Sequence, residues 1–230
     1  RSGENLLKQA CAQGQIDSIL RIGGVPTCRL WRDLDTSLTN LPVLSLSVRP
    51  FSGLNRGLLL HLPTGEGILR EHCPKELTNP QLPQLMETDR RKQAQIEQLL
   101  LDYPKAEPSL VRSLSKRLSQ GTFVYLGNSM PIREWDLAVH QTAHLAHIAG
   151  NRGANGIDGQ ISSFLGMAAP GRDNIAILGD LTTLYDLSSP WALRHLETTS
   201  ITIVVINNGG GRIFDRLFGH DKFRNAHDVR

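Results

Sequence analysis

The sequence predicts an α/β fold: a parallel sheet with helices on both faces, preceded by part of another α/β domain. Three observations carry this. Apolar segments of strand length, at 122–126, 174–178 and 201–206, alternate with segments of helical period. The last two are near-continuous apolar runs, the pattern of parallel strands covered on both faces. Each of the three ends in polar residues, at Asn128, Asp180 and Asn208, and sheets of this type bind ligands beyond the carboxyl ends of their strands.

Taken in order, the early elements are weakly marked. Residues 18–22 are a short apolar-rich segment ended by Gly23-Gly24, and 29–34 read as a helix opened by Thr27 as N-cap. Residues 41–48 and 58–62 read as strands bounded by Pro and Gly. Residues 65–84, rich in Pro, Gly and polar side chains, read as loop, and 85–101 as a helix. Two prolines within 103–108 mark a boundary, giving domains 1–104 and 105–230. Leu110, Val111, Leu114 and Leu118 have the spacing of an amphipathic helix. The strand at 122–126 breaks at Gly127-Asn128. A helix packed through small residues follows at 159–169. The strand at 174–178 ends at Gly179-Asp180, residues 189–196 are helical, and the strand at 201–206 ends at Asn207-Asn208, with a helix starting at Arg212.

Composition narrows the function classes. The chain has 230 residues, 40% hydrophobic and 20% charged, which excludes disorder of the whole chain. With 25 Lys+Arg against 22 Asp+Glu the net charge is only +3 and the basic residues are scattered, so no nucleic-acid partner is expected. The apolar runs are too short for a transmembrane segment, and no signal peptide is expected. Cys11, Cys28 and Cys73 lack metal-ligand spacing, which points to a reducing cytoplasm. The chain opens on Arg in mid-pattern and is expected to be a fragment.

Asp180 and Asn208 stand 28 residues apart, each after a strand. A carboxylate and an amide oxygen on neighbouring loops suit a hard divalent cation such as Mg²⁺. Gly209-Gly210-Gly211 lets backbone approach a diphosphate and lend a carbonyl to the metal, and a helix after it would turn N–H groups toward phosphate. Gly-Asp followed at this distance by Asn-Asn resembles the thiamine diphosphate motif, with Leu181 where glycine is common. Asp158 also stands in a Gly-x-Asp-Gly, but it follows no strand and lies 50 residues before Asn208, so it is set aside as a ligand. The competing reading is a pair of ordinary β–α turns.

Four motifs occur in order: GNSMPIR at 127–133, NRGANGIDG at 151–159, GDLTTLYD at 179–186 and NNGGGRIF at 207–214. Together they closely resemble the 2-succinyl-5-enolpyruvyl-6-hydroxy-3-cyclohexene-1-carboxylate (SEPHCHC) synthase family of menaquinone and phylloquinone biosynthesis. RIGGVPTCRLWRDLD at 21–35 and PFSGLNRG at 50–57 are similar to its middle domain.

The resemblance implies a thiamine diphosphate-binding fold and a transferase. Its members decarboxylate 2-oxoglutarate on the cofactor and add the succinyl-semialdehyde carbanion to isochorismate. It implies that Asp180, Asn208 and the backbone of Gly210 hold Mg²⁺ or Mn²⁺. Gly156, Ile157, Gly179, Leu181, Thr182 and Ile213 contact the cofactor, with Ile157 propping it in its bent form. Arg133 and Arg152 hold substrate carboxylates with their planar guanidinium forks. Asn128, Ser129, Ile213 and Phe214 line the substrate site, and Arg29 corresponds, on a looser alignment, to a basic residue of the middle domain. Members are homo-oligomers, dimers or tetramers.

Two departures bear on activity. The family's pyrimidine-binding domain, with the glutamate that activates the cofactor, has no counterpart in this sequence, so no catalytic residue is assigned. Phe218 replaces a usual proline and 218–230 fits poorly. A truncated diphosphate domain, inactive alone, is the expectation. The alternatives are another thiamine diphosphate-dependent 2-oxoacid decarboxylase or carboligase, which GNSMPIR and NRGANGIDG argue against, and a degenerate, non-catalytic cofactor-binding module. His140, His144 and His147 would share a face if helical, a weak zinc pattern better read as helix or loop. Trp31, Trp135 and Trp191 are expected to pack.

Overall fold

A computed structural model describes residues 3–26, 28–62, 82–140, 146–151, 156–196 and 199–214. The chain divides into two compact units, Arg1–Gln98 and Leu99–Arg230. Both have parallel sheets flanked by helices, the α/β class that the sequence predicts.

The first unit contains α1 (Gly3–Ala12), β1 (Ile19–Ile22), α2 (Arg29–Asp33), β2 (Val43–Ser47) and β3 (Leu58–His61). Its strands pair in the order β1-β2-β3, all parallel. The expected cap of α2, Thr27, lies outside the described residues, and Cys28 before the helix makes no side-chain cap bond. The Leu30 N–H instead donates to the Glu4 carboxylate of α1 at 2.6 Å, so one helix satisfies the open end of another.

The two motifs of this unit fold against each other. Buried Arg21 donates to Ser45 Oγ and to the carbonyls of Gly23 and Phe51, with its guanidinium 5.6 Å from the Trp31 ring centre. The Trp31 indole N–H donates to the Ser52 carbonyl at 3.1 Å. Arg56 donates to the carbonyls of Leu34, Leu38 and Leu41. Gly57 has φ +87°, and a Cβ there would fall 2.8 Å from the Val43 carbonyl oxygen. Trp31, Leu34 and Val43 form the core.

Residues 63–81, most of the expected loop, lie outside the described residues. From Leu82 the chain is already helical, earlier than expected, and α3 (Leu82–Asp102) buries none of its residues.

The second unit runs α4 (Glu107–Ser115), β4 (Phe123–Leu126), α5 (Met130–Ala138), β5 (His147–Ala149), α6 (Gln160–Met167), β6 (Asp173–Gly179), α7 (Asp180–Leu184), a 3-10 helix (Ser189–His195) and β7 (Ser200–Ile206), then a 3-10 turn (Arg212–Phe214). The parallel order β5-β4-β6-β7 means that the chain leaves β4 toward one side and β6 toward the other. The topological switch point therefore lies between β4 and β6, where such sheets open a crevice.

Strand alternation splits the core into two layers. Phe123, Tyr125, Ala176 and Leu178 pack on one face with Ile161, Phe164 and Leu165 of α6. Val124, Leu126 and Ile177 pack on the other with Val111 of α4 and Trp135 of α5.

Three expectations need correction. The segment 201–206 is not buried throughout: β7 alternates between exposed and half-buried residues, because among the described strands it pairs on one side only. Trp191 is 74% exposed and does not pack, although Trp31 and Trp135 do. The histidines share no helix face, since α5 ends at Ala138 and His147 opens β5; His144 lies outside the described residues. No helix among the described residues is long and apolar enough to cross a membrane.

Candidate functional site

Parallel pairing brings the predicted strand ends together. Gly179 is level with Ile206, and Leu126 with Ile177, so the turns after β4, β6 and β7 emerge along one edge of the sheet. A cavity of about 490 Å³ opens there.

The turns after β6 and β7 form one wall. Asp180 follows Gly179 at the start of α7, and Asn208 stands across from it on the same cavity. Gly209, Gly210 and Gly211 have φ of +84°, +78° and +64°, a left-handed run that side chains disfavour. Leu181, where glycine is common in the motif, closes over this loop: a Cβ on Gly210 would lie 3.1 Å from its side chain. Asn208 Oδ1 accepts the Gly210 N–H at 3.2 Å, while its Nδ2 donates to Glu107 Oε1 at 3.0 Å. The Asp180 carboxylate, the Asn208 amide oxygen and a glycine carbonyl are all hard oxygen donors, a set that fits Mg²⁺. Thr182 and Gly179 also line the cavity.

The turn after β4 forms the opposite wall. Gly127 is pressed on β6, where a Cβ would fall only 2.9 Å from Leu178 Cδ2. Ser129, with φ +73° and ψ −125°, is the single non-glycine residue of positive φ among those described. Such a conformation costs on the order of 1–3 kcal/mol and concentrates at functional sites. It aims the first turn of α5 at the cavity, and the Arg133 guanidinium folds back to donate to the Ser129 carbonyl.

The third wall is the segment at Gly156 and Ile157. The Gly156 carbonyl accepts from Asn128 Nδ2 at 2.7 Å and Gln160 Nε2 at 3.3 Å. Gln160 Oε1 in turn accepts from the Tyr125 hydroxyl at 3.1 Å. Burial pushes the Tyr125 phenol up, which keeps it a neutral donor. This network fixes the backbone on which Ile157 is carried into the cavity. Asn128, expected near substrate, is itself 1% exposed and commits its amide to this clamp. Since Gly159 gives α6 no side-chain cap, Asp186 caps it from a distance, accepting the Ser162 N–H at 2.8 Å. Burial would raise the Asp186 carboxyl, but bonds from Ser189 and Ser162 outweigh it and hold the group below the usual range.

Ile213 and Phe214 line the cavity from the turn after the glycines. Arg29 is exposed at the start of α2 in the first unit, and Arg152 lies outside the described residues. Asp158, set aside as a ligand, nonetheless lines the cavity.

Sequence reasoning missed Glu107 and its neighbour Glu134. Glu107 opens α4 and reaches the cavity. Glu134, on α5, is 3% exposed. Burial, then a hydrogen bond and charge repulsion from Glu107, push the Glu134 carboxyl up to about 8. Each residue has a buried Oε2 with no hydrogen-bond partner among the described groups. The folded state thus keeps a proton that the unfolded chain releases near 4.5, so stability falls as pH rises from about 4.5 to about 8. Glu134→Gln is expected to flatten that slope, as read by urea unfolding across the interval.

No family model matches the chain. Among curated proteins it is similar to SEPHCHC synthases. That of Bdellovibrio bacteriovorus is 44% identical over 238 residues, taking in 100% of this chain and 43% of the relative. That of Akkermansia muciniphila is 39% identical over 204 residues, 88% of this chain and 38% of the relative. That of Oceanobacillus iheyensis is 41% identical over 111 residues, 48% of this chain and 19% of the relative. The chain is thus related along its whole length to the Bdellovibrio synthase, and it spans less than half the length of each of the three.

Proposed function

Proceeding from that kinship, we propose that the chain is a part of a SEPHCHC synthase, a transferase of menaquinone biosynthesis. In this reading its second unit holds the diphosphate end of thiamine diphosphate through Mg²⁺ or Mn²⁺, and its first unit is part of the middle domain. One observation carries the reading: Asp180 and Asn208, from adjacent strands, face one cavity beside three consecutive glycines of left-handed backbone.

The reaction joins a four-carbon unit of 2-oxoglutarate to isochorismate with loss of CO₂. Thiamine diphosphate, when bound, supplies the carbanion chemistry. The chain's own residues bind and orient. Asp180, Asn208 and the Gly210 carbonyl hold the metal. Ile157, next to the Gly156 carbonyl that Asn128 and Gln160 hold, would serve as the apolar prop of the cofactor. Arg133 and Arg152 offer guanidinium forks to substrate carboxylates, with Arg133 anchored at the cavity by the Ser129 carbonyl.

Leu184, Tyr185, Leu187 and Trp191 are exposed together along α7 and the 3-10 helix, from 59% to 74%. A run of large apolar side chains in the open supports coverage by another subunit, in keeping with a homo-oligomer. The reading sets the protein in the cytoplasm, where Cys11 and Cys28 remain free thiols.

Titration with Mg²⁺ and thiamine diphosphate tests the reading. Asp180→Ala is expected to weaken Mg²⁺-dependent cofactor binding on the order of 100-fold or more, beyond the effect of losing an outer-shell group. Unchanged affinity removes the metal assignment.

A further inference from the structure

We infer that Glu107 is a positioning residue that locks the side-chain amide of Asn208 in the one orientation that presents its carbonyl oxygen to a metal. The inference rests on the cofactor reading above and extends it to a residue outside the motifs.

The amide of an asparagine has two near-isosteric orientations, and its neighbours decide between them. Here they agree. The Glu107 carboxylate accepts and does not donate, so it takes the Nδ2 side, at 3.0 Å. The Gly210 N–H donates only, so it takes Oδ1, at 3.2 Å. Reversing the amide would set oxygen against oxygen and N–H against N–H. The Oδ1 atom keeps a second lone pair for a cation.

The position of Glu107 fits this task. It lies 101 residues before Asn208, on a helix packed under the opposite sheet face from α6, so the bond ties the glycine-rich loop to a rigid element. Burying a carboxyl group is costly where an apolar side chain would pack. Glu107 has a buried Oε2 without a donor among the described residues and faces a second acid, Glu134. A helix needs no such pair: an exposed acid in the first turn serves its dipole equally well. What the pair supplies is an acceptor engaged on both sides, by the Asn208 amide and by Glu134.

Outer-shell groups that orient metal ligands typically contribute 10–100-fold to metal affinity. The test uses the intact protein with saturating thiamine diphosphate, titrated with Mg²⁺ by calorimetry, together with the side-chain amide ¹H–¹⁵N signal of Asn208. Glu107→Ala and Glu107→Asp are expected to lose about 10–100-fold in Mg²⁺ affinity and to shift the Asn208 signal. Glu107→Gln is expected to restore both to near wild type, because its Oε1 accepts the same bond while its NH₂ donates to Glu134. Glu107→Asp keeps the charge and the helix start, so it answers the question even where the alanine variant unfolds. Wild-type affinity in Glu107→Asp, or equal loss in all three variants, overturns the inference. Asp180→Ala separates the two levels: if it binds Mg²⁺ normally, the cofactor reading fails; if it alone loses binding, only the role of Glu107 fails.

Discussion

Phe164→Ala is expected to lower the unfolding free energy by about 3–5 kcal/mol, the usual cost of emptying a large aromatic site. Phe164 is 0% exposed at the centre of α6. Its ring stacks on Phe123 at 6.3 Å with 9° between planes, and meets Tyr125 at 6.0 Å and 46°. It therefore fills the layer between α6 and the middle of the sheet, packed with Phe123, Tyr125, Ala176 and Leu178. The effect extends to the site, because Tyr125 also anchors Gln160 and so the Gly156–Ile157 backbone. Urea unfolding of Phe164→Ala and Phe164→Leu checks this. The leucine variant keeps most of the volume and is expected to cost well under half as much. A loss under about 1 kcal/mol for alanine would mean that the layer collapses freely.

Asn174→Ala is expected to cost about 3 kcal/mol or more, through hydrogen bonding rather than volume. Asn174 is 0% exposed at the start of β6. Its Oδ1 accepts from the Ala169 N–H and Arg172 Nε, and its Nδ2 donates to the carbonyls of Ala169, Arg172 and Ser200. One side chain thus closes the turn before β6 and clips the start of β7. Each buried partner left without a bond costs about 1–3 kcal/mol. Asn174→Asp separates the contributions: it keeps the acceptor and turns a carboxylate toward three carbonyls, so it is expected to be no better than alanine. Amide exchange is expected to rise at the start of β7 before it rises in β4. Uniform exchange in both strands would place the loss elsewhere.

Much of this was legible in the sequence because it is local. Asp180 and Asn208 each follow an apolar run of strand length, and a parallel sheet must bring such ends to one edge. The helix at α4 follows from apolar spacing that survives without tertiary help, and that at α6 from a run that can pack closely through small residues. The misses have physical reasons. β5 is three residues long, too short for a period to register. α5 hides behind Ser129, whose conformation is dictated by the site rather than by its residue type. β7 reads as buried because residues 201–206 are all β-branched, while burial depends on what lies beside it. Trp191 reads as packing because tryptophan usually is, and only the fold places it in the open. Glu107 carries no local sign at all: an acid before proline at a helix start is ordinary, and its partner lies 101 residues away.

The arrangement of the cavity walls also separates two kinds of evolutionary freedom. The groups proposed for metal and diphosphate leave β6 and β7, whereas Arg133 leaves the far side of the switch point, after β4. β4 and β6 are adjacent, and Glu134 on α5 meets Glu107, the acceptor of the Asn208 amide, so the two walls vary independently only where this pair is kept. On the proposed function, exchanging residues 129–133 while keeping Glu134 would alter the substrate side and spare the groups proposed for the metal. An exchange in the glycine loop would instead disturb the groups proposed for metal and diphosphate.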